Sequence, residues 1–172
     1  QNNALTVLDK AAKLQKAVKG MGTDEKAIME ALEGKTKTER EAIAKSFKDT
    51  YKVDLKDRLK QDMGGSELDQ ANALLEGNKA KADAASIKTA AGGFWGADKT
   101  GINASLEGKT AEERKAITEA YNQSYGVKGK DLNSELKDRL SGNDLQKTEA
   151  LLERGKLTEA EQLKFALEGA GT

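Results

Sequence analysis

The chain has 172 residues, with 29 basic and 29 acidic side chains and a formal net charge of zero. Because a neutral chain lacks the positive field that attracts nucleic acids, we expect no nucleic-acid partner. The absence of cysteine and histidine excludes zinc fingers, thiolate chemistry and catalytic triads, and no convergent pair of carboxylates stands out, so we expect no enzyme. The chain has no apolar run of about 20 residues and no signal-peptide layout. We therefore expect neither a transmembrane segment nor a signal peptide in this chain.

Apolar residues recur at helical spacing through residues 1–77 and predict five helices. The first carries a stripe of Leu5, Leu8, Ala12, Ala17 and Val18 and ends near Gly20. The expected N-caps of later helices are Thr23 for the second, Thr36 or Thr38 for the third, and Ser66 for the fifth. Glycine pairs and single glycines separate the helices, as expected where a helix must end.

A glycine-containing loop and a distant aspartate suggest a metal site. Residues 18–25 read Val-Lys-Gly-Met-Gly-Thr-Asp-Glu and follow the first predicted helix, whose last carbonyls lack intrahelical partners. Asp62 lies at the end of the fourth predicted helix, where the helix dipole disfavours a negative charge by about 0.3–1 kcal/mol. Carbonyl oxygens together with a carboxylate are the ligands that Ca²⁺ prefers. A residue that breaks a local rule without compensation indicates function, so Asp62 is the strongest single candidate.

The same pattern of residues occurs twice. Identities recur at an offset of 74 residues until a three-residue insertion near residues 126–130. Such a fixed offset indicates an internal repeat. The identities include Leu32 and Leu106, Thr36 and Thr110, Glu39-Arg40 and Glu113-Arg114, Ile43 and Ile117, and Tyr51 and Tyr125. We interpret the repeated Glu-Arg pairs as buried or interhelical salt bridges rather than as sites.

This combination resembles an annexin repeat: five helices in about 75 residues, Lys-Gly-x-Gly-Thr-Asp-Glu after the first helix, and Glu-Arg near the third. The resemblance implies an all-α protein with two tandem five-helix repeats and the first helix of a third. It divides the chain into residues 1–77 with an intact calcium motif, 78–157 with a degenerate copy, and 158–172 with the first helix and loop of a further repeat. Because 169–172 is another Gly-x-Gly-Thr, we expect the chain to be part of a longer array; the alternative is an intact chain with a short third helix.

The resemblance also implies the ligands. The primary calcium site would use the carbonyls of Val18, Gly20 and Gly22 and the carboxylate of Asp62. A weaker accessory site would use the Thr23 carbonyl and the Glu25 carboxylate. Lipid-contact residues on the same loop would be Lys19 and Met21.

The second copy lacks this ligand set. The residue that corresponds to Asp62 is Arg139, whose positive charge would repel a cation. The corresponding loop, residues 94–98, reads Phe-Trp-Gly-Ala-Asp and has lost the first glycine and the threonine. We therefore expect the second copy to bind no calcium.

Trp95, the only tryptophan, corresponds to Met21 at the tip of its loop. It could pack inward beside Phe94, as a single tryptophan usually does. Alternatively, the flanking glycines leave it exposed, which suits a lipid contact at the membrane interface. The sequence leaves both alternatives open.

The function that these features favour is calcium-dependent, peripheral binding to anionic phospholipid membranes, with Ca²⁺ as the cofactor. The alternative is a calcium-independent helical-repeat scaffold for protein–protein interaction, which the silent second copy favours. Protein partners, or further repeats in a longer chain, are consistent with both.

Overall fold

A computed structural model describes residues 2–19, 22–127 and 129–169. Within these ranges the regular elements are all helices and there is no strand, which confirms the predicted all-α class. The chain forms two compact units, unit 1 (residues 1–82) and unit 2 (residues 83–172). The helices of the described ranges are α1 (Asn2–Lys19), α2 (Glu25–Leu32), α3 (Lys37–Tyr51), α4 (Leu55–Asp62), α5 (Gly65–Glu76), α6 (Lys79–Ala91), α7 (Lys99–Ala104), α8 (Ala111–Tyr125), α9 (Leu132–Arg139), α10 (Gly142–Arg154) and α11 (Glu159–Gly169).

Unit 1 is built around α1, which packs against α2, α3 and α4, while α5 packs against α2, α3 and α4. Its most buried large side chains are Leu14, Ile28, Leu32, Ile43, Phe47, Leu55 and Leu59. Removing each such side chain from water contributes about 1.5–3 kcal/mol. This packing fixes where the end of α4 lies with respect to the end of α1.

The predicted buried stripe of α1 is partly wrong. Leu5 and Leu8 are 68% and 52% exposed, whereas Ala11 and Leu14 are buried. Both sets of residues have helical spacing, and adjacent positions such as 11 and 12 differ by only about 100° around the axis. The helices that pack on α1 decide which set becomes the core face.

Equivalent caps begin α3 and α8. Thr36 and Thr110 each accept a hydrogen bond from the N–H three residues on, and the glutamate there accepts one from the N–H of the cap. These two capping boxes confirm the Thr36 prediction. The Ser66 prediction is wrong, because Gly64 is the N-cap of α5 and makes no side-chain capping bond. Gly65, with a φ of +57°, is the first residue of α5, so the helix begins two residues earlier than a Ser66 cap predicts.

An arginine near the start of α3 and of α8 binds backbone carbonyls. Arg40 donates to the carbonyls of Leu75 (3.0 Å) and Lys35 (2.6 Å). Arg114 donates in the same way to the carbonyls of Leu152 (3.0 Å) and Lys109 (2.5 Å). The structure thus gives the two glutamates a capping role and the two arginines carbonyl partners in other segments.

Candidate metal centre

The loop after α1 holds most of the predicted metal ligands. The N–H of Asp24 donates to the carbonyl of Ala17 (2.9 Å), which closes the loop onto the last turn of α1. Gly22 is exposed and has a φ of +99°, a conformation that glycine adopts without steric cost. Gly20, a predicted ligand, and Met21, a predicted lipid contact, lie outside the described residues.

Thr23 connects this loop to the end of α4. Its hydroxyl donates to the backbone carbonyl of Asp62 at 2.8 Å, across 39 residues of sequence. The predicted capping role of Thr23 is therefore wrong: Asp24 is the N-cap of α2, and its side chain accepts from the N–H of Ala27 at 3.0 Å. The hydrogen bond of Thr23 places the loop and Asp62 in one local site.

Arg58 is a member of this site that the sequence reasoning missed. Its Nε lies 2.9 Å from Asp62 Oδ2, and both side chains are largely buried, at 26% and 22% exposed. Its Nη2 lies 3.5 Å from the carbonyl oxygen of Val18. The spacing of the two residues in the sequence could have indicated this contact. An arginine four residues before an aspartate lies on the same face of a helix.

The ion pair changes the interpretation of Asp62. Asp62 is the last residue of α4, as predicted, and its charge there is unfavourable to the helix dipole. Arg58 compensates for that charge, so the expectation of an uncompensated acid is wrong. The contact is an ion pair rather than a hydrogen bond, since neither Arg58 Nε nor Asp62 Oδ2 has a hydrogen-bond partner among the described residues.

The oxygen atoms around Arg58 fit a hard cation. The Val18 carbonyl and the Asp62 carboxylate both face one positive group, the guanidinium of Arg58. Carbonyl and carboxylate oxygens are the types of ligand that Ca²⁺ takes, in sets of about 6–8. Among the described residues no group of three or more acidic side chains could hold a metal, so the candidate site depends on backbone carbonyls and a single carboxylate. Of the accessory residues, Glu25 is the first residue of α2 and is half-buried.

Positive side chains line a groove beside the loop. The groove, about 560 Å³ in volume, is lined by Lys10, Lys13 and Lys16 together with Gly22 and Asp24. Burial and then the nearby Lys35 ammonium lower the pKa of Lys10. Lys19, a predicted lipid contact, is exposed at the end of α1. Because Asp24 and Glu30 also line the groove, its three lysines leave only a small excess of positive charge.

Unit 2 has the opposite arrangement of charge. By alignment of α4 with α9, Glu135 occupies the position of Arg58 and Arg139 that of Asp62. Arg139 Nε lies 3.4 Å from Glu135 Oε1, and Lys88 Nζ lies 3.6 Å from the same oxygen. The Glu135 carboxylate therefore lies one turn further from the C-terminal end of α9 than the Asp62 carboxylate lies from the end of α4. Ala97, which has no hydroxyl, takes the place of Thr23.

The loop between α6 and α7 presents two aromatic rings. Phe94 and Trp95 are 91% and 95% exposed. Their rings lie edge to face with centroids 5.2 Å apart. Trp95 therefore takes the exposed alternative, and Phe94 is exposed with it.

The annexin family model matches residues 9–67, the segment that holds Val18, Gly22, Arg58 and Asp62. This chain carries an annexin repeat. The resemblance on which the sequence expectations rest is thereby confirmed. Annexins are known as calcium-dependent phospholipid-binding proteins and are generally not enzymes.

Individual proteins are similar to this chain over part of their length. Annexin A13 of Canis lupus familiaris is 39% identical over 133 residues, which are 77% of this chain and 40% of the relative. Annexin A5 of Macaca fascicularis is 34% identical over 116 residues, which are 67% of this chain and 36% of the relative. The solved structure of chicken annexin V is 29% identical, with a TM-score of 0.48, over 94% of this chain and 51% of that chain. The chain thus spans about two fifths of the length of the curated relatives it matches.

Proposed function

We propose that this chain binds Ca²⁺ at the α1–α2 loop of unit 1 and, with Ca²⁺ bound, an anionic phospholipid surface. The observation that carries the proposal is the hydrogen bond from Thr23 to Asp62, which joins the loop to the one carboxylate at the end of α4. The equivalent ion pair of unit 2, Glu135 with Arg139, has its charges in the opposite order. This difference supports a calcium site in unit 1 alone.

The carbonyls of Val18, Gly20 and Gly22 and the carboxylate of Asp62 would hold the cation. A bound Ca²⁺ would supply the positive charge that attracts a lipid phosphate, which the net charge of zero does not supply. The carbonyl of Thr23 and the carboxylate of Glu25 would form a weaker accessory site. One carboxylate provides little charge, so we expect a low-affinity site.

Three residues would contact the lipid. Lys19 and Met21 flank the proposed ligand Gly20, and the lysine-lined groove lies beside the same loop. Trp95, in unit 2, offers an exposed ring that is half apolar and half polar, which suits the membrane interface. None of the described helices is long and apolar enough to cross a bilayer. We therefore propose a peripheral association.

Sedimentation with phosphatidylserine vesicles tests this proposal. The parent chain should pellet with vesicles only when calcium is present, and Asp62→Ala should remove that dependence. Asp57→Ala is the matched control, because Asp57 is an exposed acid on the same helix. Equal pelleting of all three chains with and without calcium, or no pelleting in any condition, would refute the proposal.

The second candidate function is a scaffold that binds protein without calcium. The charge-reversed pair of unit 2 favours it, because that unit keeps the fold without the acid at the helix end. Thermal melting discriminates the two: a ligand that binds only the native state raises stability by RT ln(1 + [L]/Kd). A melting temperature unchanged by millimolar calcium would favour the scaffold.

A further inference from the structure

We propose that Arg58 is an internal competitor for the calcium site, and that it must leave the Val18 carbonyl and the Asp62 carboxylate before these oxygens can bind a cation. This inference rests on the proposed calcium site of unit 1. Arg58 then sets the calcium affinity of that site.

The geometry places Arg58 on two of the proposed ligands at once. Its Nε lies 2.9 Å from Asp62 Oδ2, and its Nη2 lies 3.5 Å from the carbonyl oxygen of Val18. These two oxygens belong to α4 and α1, which are distant in sequence. One guanidinium, with its fork of N–H groups, thus fills the position where a cation would meet both helices.

The charges make this occupancy exclusive. An arginine side chain remains protonated in proteins, so Arg58 carries its positive charge wherever it lies. Two positive charges a few ångströms apart repel each other strongly in a partly buried location. Arg58 and Asp62 are 26% and 22% exposed, so water screens the repulsion only in part. Calcium therefore binds fully only when the guanidinium has moved.

The side chain is able to move. Arginine has a long, flexible stem, and the exposed fraction of Arg58 shows that it has a route to solvent. Unit 2 indicates that the fold does not require this polarity, since Glu135 and Arg139 form the reversed pair on an equivalent helix. The arrangement in unit 1 is consequently a property of the site rather than of the helix.

Calcium titration of the full chain by calorimetry tests the inference. Arg58→Gln should bind calcium about tenfold more tightly, the size of a modest coupling between close charges. Arg58→Lys keeps the charge and should remain close to the parent. Lys60→Gln removes the same charge from an exposed position on α4 and should change the affinity less than twofold.

A second measurement does not depend on any variant. In the parent chain, the NMR signal of the Arg58 Nε–H should shift when calcium is added, because the group leaves Asp62. The signals of Arg40 and Arg114, which donate to carbonyls elsewhere, should not change.

The outcomes separate the two proposals. The inference is supported if Arg58→Gln binds calcium more tightly than the parent, or if Arg58→Gln binds calcium and the parent does not. If the parent binds calcium and Arg58→Gln binds equally or less tightly, then Arg58 orients Asp62 and the inference is overturned. If neither chain binds calcium, the proposed calcium site itself is wrong and the inference is lost with it.

Discussion

Helix α4 of unit 1 and helix α9 of unit 2 carry the same kind of ion pair in opposite directions. In α4 the base precedes the acid, whereas in α9 the acid Glu135 precedes the base Arg139. The α9 order is the one that the helix dipole favours, because its positive charge lies at the C-terminal end. The α4 order is locally unfavourable, and it leaves a carboxylate at the helix end beside the α1–α2 loop.

The features that the two units share are those that the helices need. Both units have a Thr-Glu capping box and an arginine that binds carbonyls. They differ at the loop glycines, the loop threonine and the polarity of the ion pair, which the helices do not need. The comparison teaches that a repeat can lose its ligand set and keep its fold.

The largest effect should follow from exchanging the charges in unit 1. The double variant Arg58→Glu with Asp62→Arg copies the polarity of α9 and retains an ion pair. We expect it to lose the calcium-induced rise in melting temperature while remaining folded, as circular dichroism would verify. The reverse exchange, Glu135→Arg with Arg139→Asp, should not create a calcium response, because its loop lacks the threonine and a glycine. A calcium response that survives in the first variant would break the comparison.

The next largest effect should be in the fluorescence of Trp95, which lies in the loop between α6 and α7 of unit 2 and has no tryptophan counterpart in the loop of unit 1. Because Trp95 is the only tryptophan and is 95% exposed, its emission in buffer should be red-shifted. Adding calcium and phosphatidylserine vesicles together should move the emission to shorter wavelength, as the ring enters the interface. Calcium without vesicles is the control and should leave the emission unchanged. Emission that is already blue in calcium-free buffer would place the ring in the core.

A smaller effect concerns the equivalent core residues Phe47 and Tyr121. The Tyr121 hydroxyl is buried without a hydrogen-bond partner among the described residues, and burial, with a smaller effect of the Glu135 charge, raises its pKa. Removing an unsatisfied hydroxyl relieves a cost of about 1–3 kcal/mol. Tyr121→Phe should therefore stabilise the chain in urea unfolding. Phe47→Tyr should destabilise it. A loss of stability in Tyr121→Phe would mean that the hydroxyl has a partner.

The capping boxes should show the closest agreement between the units. Thr36→Ala and Thr110→Ala each remove a side-chain cap and should each cost about 1 kcal/mol in urea unfolding. Thr38→Ala, within α3 and exposed, should change stability by less than about 0.5 kcal/mol. Costs that differ several-fold between the two caps would show that the units are not equivalent at this point.

The smallest effect is a pH dependence at Glu39. The N–H of Thr36 donates to its carboxylate, and this bond lowers the pKa of Glu39. The stabilisation is therefore present above the ordinary carboxyl pKa and is lost as pH falls through the lowered value. Glu39→Gln should weaken this part of the acid dependence in melting curves. An identical pH profile in the variant would assign no role to this carboxylate.

The sequence by itself determined the helices and their repetition. Apolar spacing, the glycines between helices and the caps Thr36 and Thr110 act over a few residues, so they can be interpreted without a fold. The same reasoning placed Asp62 at a helix end and predicted a charge reversal at Arg139. It was wrong for Ser66, because the N-cap of α5 is Gly64 and the helix therefore begins two residues earlier than predicted.

Only the tertiary structure decided which of these residues meet. The bond from Thr23 to Asp62 spans 39 residues, and the contact of Arg58 with the Val18 carbonyl spans 40. The buried face of α1 likewise differs from the predicted stripe, because the helices that pack on α1 bury Ala11 and Leu14 and leave Leu5 and Leu8 exposed. Local patterns specify a helix and its polar ends, whereas the partners of a side chain depend on the distances between helices. These distances are set by the packing of the whole core.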